Sequence, residues 1–135
     1  MKIQLKDWKI SNLNLSLLDE NVKRDDNSFD LESGNYFSGA KGDNVFGVSF
    51  KLKINDKLFD LVVEAVYNFE LLDEKVTEEF KLSSFPKVNA PAIAFPYLRA
   101  FISNLTLQSG LEPVILPSIN FVQLANKESS GEDFL

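Results

Sequence analysis

Along residues 3 to 17 the apolar positions alternate but slip phase twice. Ile3 and Leu5 share one parity, Trp8 and Ile10 take the other, and Leu13, Leu15 and Leu17 return to the first. Side chains in a strand repeat every second residue, so each change of parity turns them to the opposite face unless the backbone bulges or bends. The pattern predicts one long strand with irregularities near Asp7 and Ser11. The charged stretch DENVKRDDNS then reads as a surface loop. Phe29 and Leu31 suggest a short second strand. SGNYFSGAKGDN, rich in Gly, Ser and Asn, reads as a loop bearing two adjacent aromatics, Tyr36 and Phe37.

VFGVSFKLKI is the clearest strand, with Phe46, Val48, Phe50, Leu52 and Ile54 alternating against Gly47, Ser49, Lys51 and Lys53. NDK at 55 to 57 is a hairpin turn candidate. The next strand puts Phe59, Leu61, Val63, Ala65, Tyr67, Phe69 and Leu71 on one face. Its other face mixes Asp60, Glu64 and Asn68 with Val62 and Val66, which predicts a sheet whose second side is partly covered.

From Thr77 the period becomes helical. TEEFKL makes one or two turns, ended by Ser83, Ser84 and Pro86. A longer helix follows, with Asn89 as its expected N-cap and Pro91 in its first turn. Pro96 has no N–H for the carbonyl of Ala92, so a kink or a restart is expected there. Beyond it Phe95, Leu98, Ile102 and Leu105 form one stripe, and Ala94, Tyr97 and Phe101 form another beside it. Together they exceed the single apolar arc of a surface helix. One of two buried sides should therefore face another chain, with Tyr97, Phe101 and Leu105 as the expected interface. Gly110 is the expected helix stop. A short amphipathic stretch follows around Phe121, Val122 and Leu124. The reading is a single domain over 1–125 and an acidic, disordered tail over 126–135.

Composition changes this picture in three ways. Twelve Phe against three Tyr and one Trp imply a large core, a large interface or a greasy binding surface, and composition does not choose among them. The chain has no Cys and no His, which removes disulfides, thiolate metal sites and the commonest general base. The formal net charge is −6, opposite to the footprint of a nucleic-acid binder. The start MKIQLKDWKI has no apolar signal core, and no run approaches a membrane span. A cytoplasmic protein without stable membrane insertion is expected.

Candidate chemistry is sparse. GNYFSGAK, 34 to 41, misses the phosphate-loop pattern: its lysine is one place late, and Gly42 stands where a hydroxyl would hold magnesium. The paired acids Asp25–Asp26, Asp73–Glu74 and Glu78–Glu79 lie in charged stretches with no apolar pocket evident to lift a pKa. Neither an enzyme nor a metal or cofactor site is expected. Tyr36 and Phe37 read as a local plug onto the sheet or as an exposed contact for a ligand, client or partner.

The run NAPAIAFPYLR, then Ile102, Gly110, Pro113 and PSINF at 117 to 121, resembles the SecB family of protein-export chaperones. Phe95, Pro96, Tyr97 and Arg99 match the family's helix start, and Asn120 and Phe121 match a later element. WKISNLNLS is similar to the family's first strand. The chain departs before Asn120, where the element is one residue shorter with its proline at 117, and in the tail ESSGEDFL, which differs from the family's docking peptide for the SecA motor. The resemblance implies an α+β fold, a four-stranded antiparallel sheet with helices on one face, assembled as a dimer of dimers. It implies an ATP-independent holdase for unfolded polypeptides, serving export through SecA or guarding an antitoxin. Trp8, Tyr36, Phe37, Ile119, Phe121 and Val122 are the candidate client-binding residues. The rival readings are an oligomeric adaptor with one folded partner and a small-ligand binder.

Overall fold

The two phase slips of the first strand are bulges, and they keep its apolar side chains together. In the computed structural model, which describes residues 2–22 and 24–130 (128–130 by backbone alone), β1 (Lys2–Leu17) runs antiparallel to β4 (Phe59–Leu72). Register shifts fall between Leu5 and Asp7 and between Ile10 and Asn12, so Lys6 and Ser11 are the extra residues. Each extra residue resets the parity. Ile3, Leu5, Trp8, Ile10, Leu13, Leu15 and Leu17 all lie opposite the buried residues of β4, from Leu71 to Phe59.

β2 (Ser28–Phe37) and β3 (Val45–Asn55) complete the sheet in the order β1-β4-β3-β2. The connection from β1 to β2 thus crosses from one edge to the other. It is tied to the β3–β4 turn by Leu18 N–H, which donates to Leu58 O at 2.8 Å. The Arg24 guanidinium adds bonds to Asp56 O at 2.8 Å and to the Asp60 carboxylate at 2.7 Å.

The expectation for β2 needs correction. Tyr36 and Phe37 pair with Gly47 and Phe46, so they lie in a strand of ten residues, not in a loop. The reason lies across the sheet: Gly47 leaves room for the Tyr36 ring, and a Cβ there would stand 3.2 Å from Tyr36 Cδ2. The first half of GNYFSGAK is accordingly strand rather than phosphate loop. Strand alternation sends the two aromatics to opposite faces. Phe37 stacks on Phe46 at 6.4 Å, whereas Tyr36 stays 56% exposed on the other side.

The core forms where the inner face of the sheet meets the helices. α1 (Glu78–Leu82) is capped by Thr77, whose Oγ1 accepts the Phe80 N–H at 3.0 Å. A π-helical turn, Phe85–Asn89, runs directly into α2 (Ala90–Gln108). Asn89 therefore has helical angles and no capping bond, contrary to expectation, because the wide turn carries the Ala90 N–H to Phe85 O. α2 continues through Pro96; the carbonyl it cannot serve belongs to Ala92, an exposed residue. Its end is a Schellman motif, with Gly110 at φ 82, Gly110 N–H on Leu107 O and Leu111 N–H on Thr106 O. α3 (Phe121–Ser130) starts at Asn120, whose Oδ1 accepts from Val122 and Gln123 at 3.1 Å each. Residues 126–130, expected to begin a disordered tail, are helical; 131–135 lie outside the described residues.

Phe50 is the meeting point of the two layers, with Phe95 and Phe121 each at 6.0 Å and Tyr67 at 5.7 Å. On the outer face Val62 and Val66 are half-buried between cross-strand neighbours, Lys53 and Asn14 for one, Lys9 and Ser49 for the other. Among the described residues no helix covers this face, and the shading that the sequence pattern suggested comes from neighbours within the sheet.

Candidate functional site

Closing the core leaves apolar side chains over. Ala90, Ala94, Phe95, Leu98 and Ile102 are buried, which satisfies one side of α2. Ile93, Tyr97, Phe101 and Leu105 recur every four residues and form a second stripe. Ile93 is 42% and Tyr97 45% exposed, and the other two are half-buried. The Tyr97 ring lies 4.8 Å from that of Trp8, which stacks in turn on Tyr67 at 6.4 Å. Trp8, Leu13 and Leu17 remain exposed along β1. β1 is also an edge strand, with backbone groups unpaired on its outer side. One continuous region of the fold thus combines a bare edge with exposed aromatics.

A second apolar surface lies at the other edge. A cavity of about 330 Å³ opens between the start of β2, the end of β3 and the segment after α2. Ile54 and Leu116 are buried in its floor, while Phe29 and Ile115 remain exposed at its mouth. Asp56 and Glu112 bring carboxylates to the same lining. Pro113 and Pro117 bracket Val114–Leu116 and keep that segment from joining a helix. Thr106 anchors it: its buried Oγ1 accepts the Val114 N–H at 2.9 Å and donates to Ile102 O at 2.9 Å. A hollow of about 520 Å³ on the outer face of the sheet is lined by Glu32, Lys51 and Glu64 beside Gly34 and Ser49, a polar floor suited to water.

The expected client-binding residues do not converge. Trp8 joins the β1 and α2 surface, Tyr36 stands on the outer face, and Phe37 packs against the inner layer. Ile119 is half-buried and Val122 is 53% exposed. Phe121 is a core residue, 5.7 Å from Phe95. Tyr97, Phe101 and Leu105 do share one stripe, and Ile93 extends it. Sequence reasoning missed Phe29, Ile115 and Leu116; the signal available was an apolar triplet held between two prolines, PVILP.

Burial pushes the Tyr67 hydroxyl up to about 12, and the Ser38 hydroxyl holds Asp43 below the usual carboxylate value. Among the described residues no group of three His, Cys, Asp or Glu could hold a metal ion, and no helix is long and apolar enough to cross a membrane.

The family model described as preprotein translocase subunit SecB matches residues 36–131. The chain belongs to the SecB family. It is 32% identical over 93 residues to the protein-export protein SecB of Jannaschia sp. (strain CCS1), covering 64% of this chain and 54% of that one. It is 40% identical over 74 residues to an uncharacterised protein of Methanocaldococcus jannaschii, covering 54% and 46%. The chain thus spans about half the length of the curated relatives it matches. In fold it is similar to a Mycobacterium tuberculosis SecB-like chaperone solved with a ChAD peptide from an antitoxin, at a TM-score of 0.65, 18% identity and 87% coverage of both chains. A Streptococcus agalactiae protein of unknown function gives 0.61 at 11% identity, covering 87% and 98%. The four-stranded antiparallel sheet with helices is the SecB-like architecture. Within it the SecB-like motif has a structural meaning: Phe95 and Phe121 close the core on Phe50, Asn120 caps α3, and Tyr97 points outward.

Proposed function

We propose that this SecB-family chain is a chaperone that holds unfolded polypeptides without nucleotide, working as a homo-oligomer in the cytoplasm. The observation that carries the reading is the apolar surface left after the core is complete, divided between the β1 and α2 region and the cavity beside β2. We assign the first region to assembly, because a bare strand edge flanked by aromatics suits a second copy, and the second to clients. A dimer of dimers needs two different interfaces, and the first region supplies two surfaces for them, the β1 edge and the apolar stripe of α2. The cavity is open, extended and walled by apolar side chains, which suits a segment that has not folded.

Holding of this kind is an equilibrium and needs neither cofactor nor catalytic group. A protein that binds the unfolded state shifts folding by mass action. Each large apolar side chain captured contributes roughly 1.5–3 kcal/mol before ordering costs. Several cavities on one assembly add avidity of about 10²- to 10⁴-fold without a new kind of contact. Rapidly folding chains hide their apolar segments and escape. The relative solved with an antitoxin peptide supports a peptide client here. Delivery to the SecA motor and protection of an antitoxin both use the same holding step; binding of purified SecA to the loaded complex separates them.

The test is suppression of aggregation of several unrelated proteins diluted from denaturant. Suppression of all of them is expected, with F29D/I115D weaker by about tenfold or more while its sedimentation is unchanged. Activity toward one folded partner alone would instead make the chain an adaptor.

A further inference from the structure

One short element of the fold covers an aromatic slot. α1 has five residues, too few to persist as an isolated helix, and Phe80 is its one buried side chain. Lys81 lies over the Phe37 ring at 5.4 Å and pairs with Glu78 at 3.0 Å, and two hydroxyls hold the Phe80 backbone. Thr77 Oγ1 accepts the Phe80 N–H at 3.0 Å, and Ser83 Oγ donates to Phe80 O at 2.6 Å. Leu82 beside them is 78% exposed. The Phe80 ring meets Phe46 edge-on at 5.1 Å and stacks on Phe85 at 6.3 Å. Phe46 carries the aromatic wall on to Phe69 at 5.4 Å.

Free space lies on both sides of this helix. A hollow of about 530 Å³ is lined by Thr77, Phe80 and Phe85, and one of about 270 Å³ by Phe37, Gly42 and Lys81. The chain has turning points at either end of the segment. Asp73 takes a left-handed φ of 64 just before it, and the Ser83–Ser84 pair follows it.

We propose that α1 is a hinged plug, and that the slot under Phe80 receives a phenyl side chain of a client when the plug swings away. The ring walls of Phe46 and Phe85 give water no hydrogen-bonding partner, so an emptied slot favours an apolar ligand over water. The occupant is specified by the present one: a benzyl group already fits between Phe46 and Phe85. Client and plug therefore compete for one place, and affinity for the client scales with the fraction of molecules in which the plug is out. The proposal rests on the holding function above and adds a site that the exposed cavity beside β2 does not include.

The experiment compares the full chain with T77A. Loss of the cap should raise the open fraction about fivefold. Two readouts should move together by that factor: hydrogen exchange of the Lys81 and Ser83 amides, whose backbone acceptors Thr77 O and Phe80 O the substitution leaves in place, and affinity for a short labelled peptide with one Phe among Ser and Gly. Shifts of the Phe46 and Phe85 ring signals locate the binding, and the same peptide with Ala for Phe should bind equally to both proteins. F80A, with the slot vacated, should bind the Phe peptide tighter still; should it fail to fold, T77A carries the test alone, since Thr77 is exposed. Faster exchange in T77A with unchanged Phe-peptide affinity overturns the plug, as does unchanged exchange. Suppression of aggregation by the unaltered chain is scored separately, so failure of the plug leaves the holding function standing, and failure of the holding function shows in the unaltered chain.

Discussion

Thr106 has both of its hydrogen-bonding roles filled inside the protein, as donor to Ile102 O and acceptor from Val114 N–H. It lies four residues below Ile102 on the buried side of α2, where a hydroxyl is tolerated because it is satisfied. Valine has the same shape without the oxygen. T106V leaves the Val114 N–H without its partner and should cost about 1–3 kcal/mol, toward the lower end because Val114 is half-buried. Urea denaturation measures it, and client capture should fall too, because the wall of the cavity loosens. Tyr67 supplies a pH signature. Its hydroxyl is raised from 10.0 to about 12 by burial, so between those values the unfolded chain gives up a proton that the folded one keeps. Stability on this account is full below pH 10 and is lost as pH climbs toward 12. Y67F should flatten that part of the melting-temperature curve; an equal decline in both proteins would remove Tyr67 as its source.

Among the elements, β1 depends more on residue count than on residue identity. Ser11 is an extra residue whose hydroxyl makes one exposed bond, to Glu64 O at 3.1 Å. S11A should change stability by no more than about 0.5 kcal/mol. Deleting Ser11 removes the second bulge and turns either Leu13, Leu15 and Leu17 or the preceding half of the strand to the outer face. Leu15 is half-buried and Leu13 and Leu17 are exposed, so the cover lost is less than the roughly 1.5–3 kcal/mol of one fully buried side chain, and the broken pairing with β4 adds to it. A lower melting temperature or aggregation of the deletion variant, with S11A near the parent, is the expected pair of outcomes. Equal behaviour would mean that the bulge does not set the register.

For the whole molecule the question is where the surplus apolar surface goes. Tyr97 is nearly half exposed and touches Trp8 across the gap between α2 and β1, so a charge at that point is solvated in a lone chain and would be buried in the proposed assembly. Y97E should leave the circular dichroism spectrum unchanged while sedimentation shifts to smaller species. Trp8 is the only tryptophan, and its emission should move to longer wavelength as the interface opens. Sedimentation of Y97E like that of the parent would place the assembly surface elsewhere, the free edge of β2 being the next choice.

The chain alone determined what periodicity records. The alternation of β3 and β4, the two irregularities of β1, the short helix at Thr77 and the excess of apolar positions on α2 all follow from local spacing, and the FPYLR run carries the SecB-family resemblance. What the sequence left open depends on partners distant along the chain. GNYF becomes strand because Gly47, on the neighbouring strand, makes room for Tyr36. Asn89 loses its capping role to a backbone bond that a π-turn makes available. Phe121 and Ile115 look alike as apolar residues near prolines, yet one closes the core on Phe50 and Phe95 and the other stands at a cavity mouth. A hydrophobic side chain declares that it prefers to leave water; only the packing of the other elements around it decides whether its own chain supplies the cover.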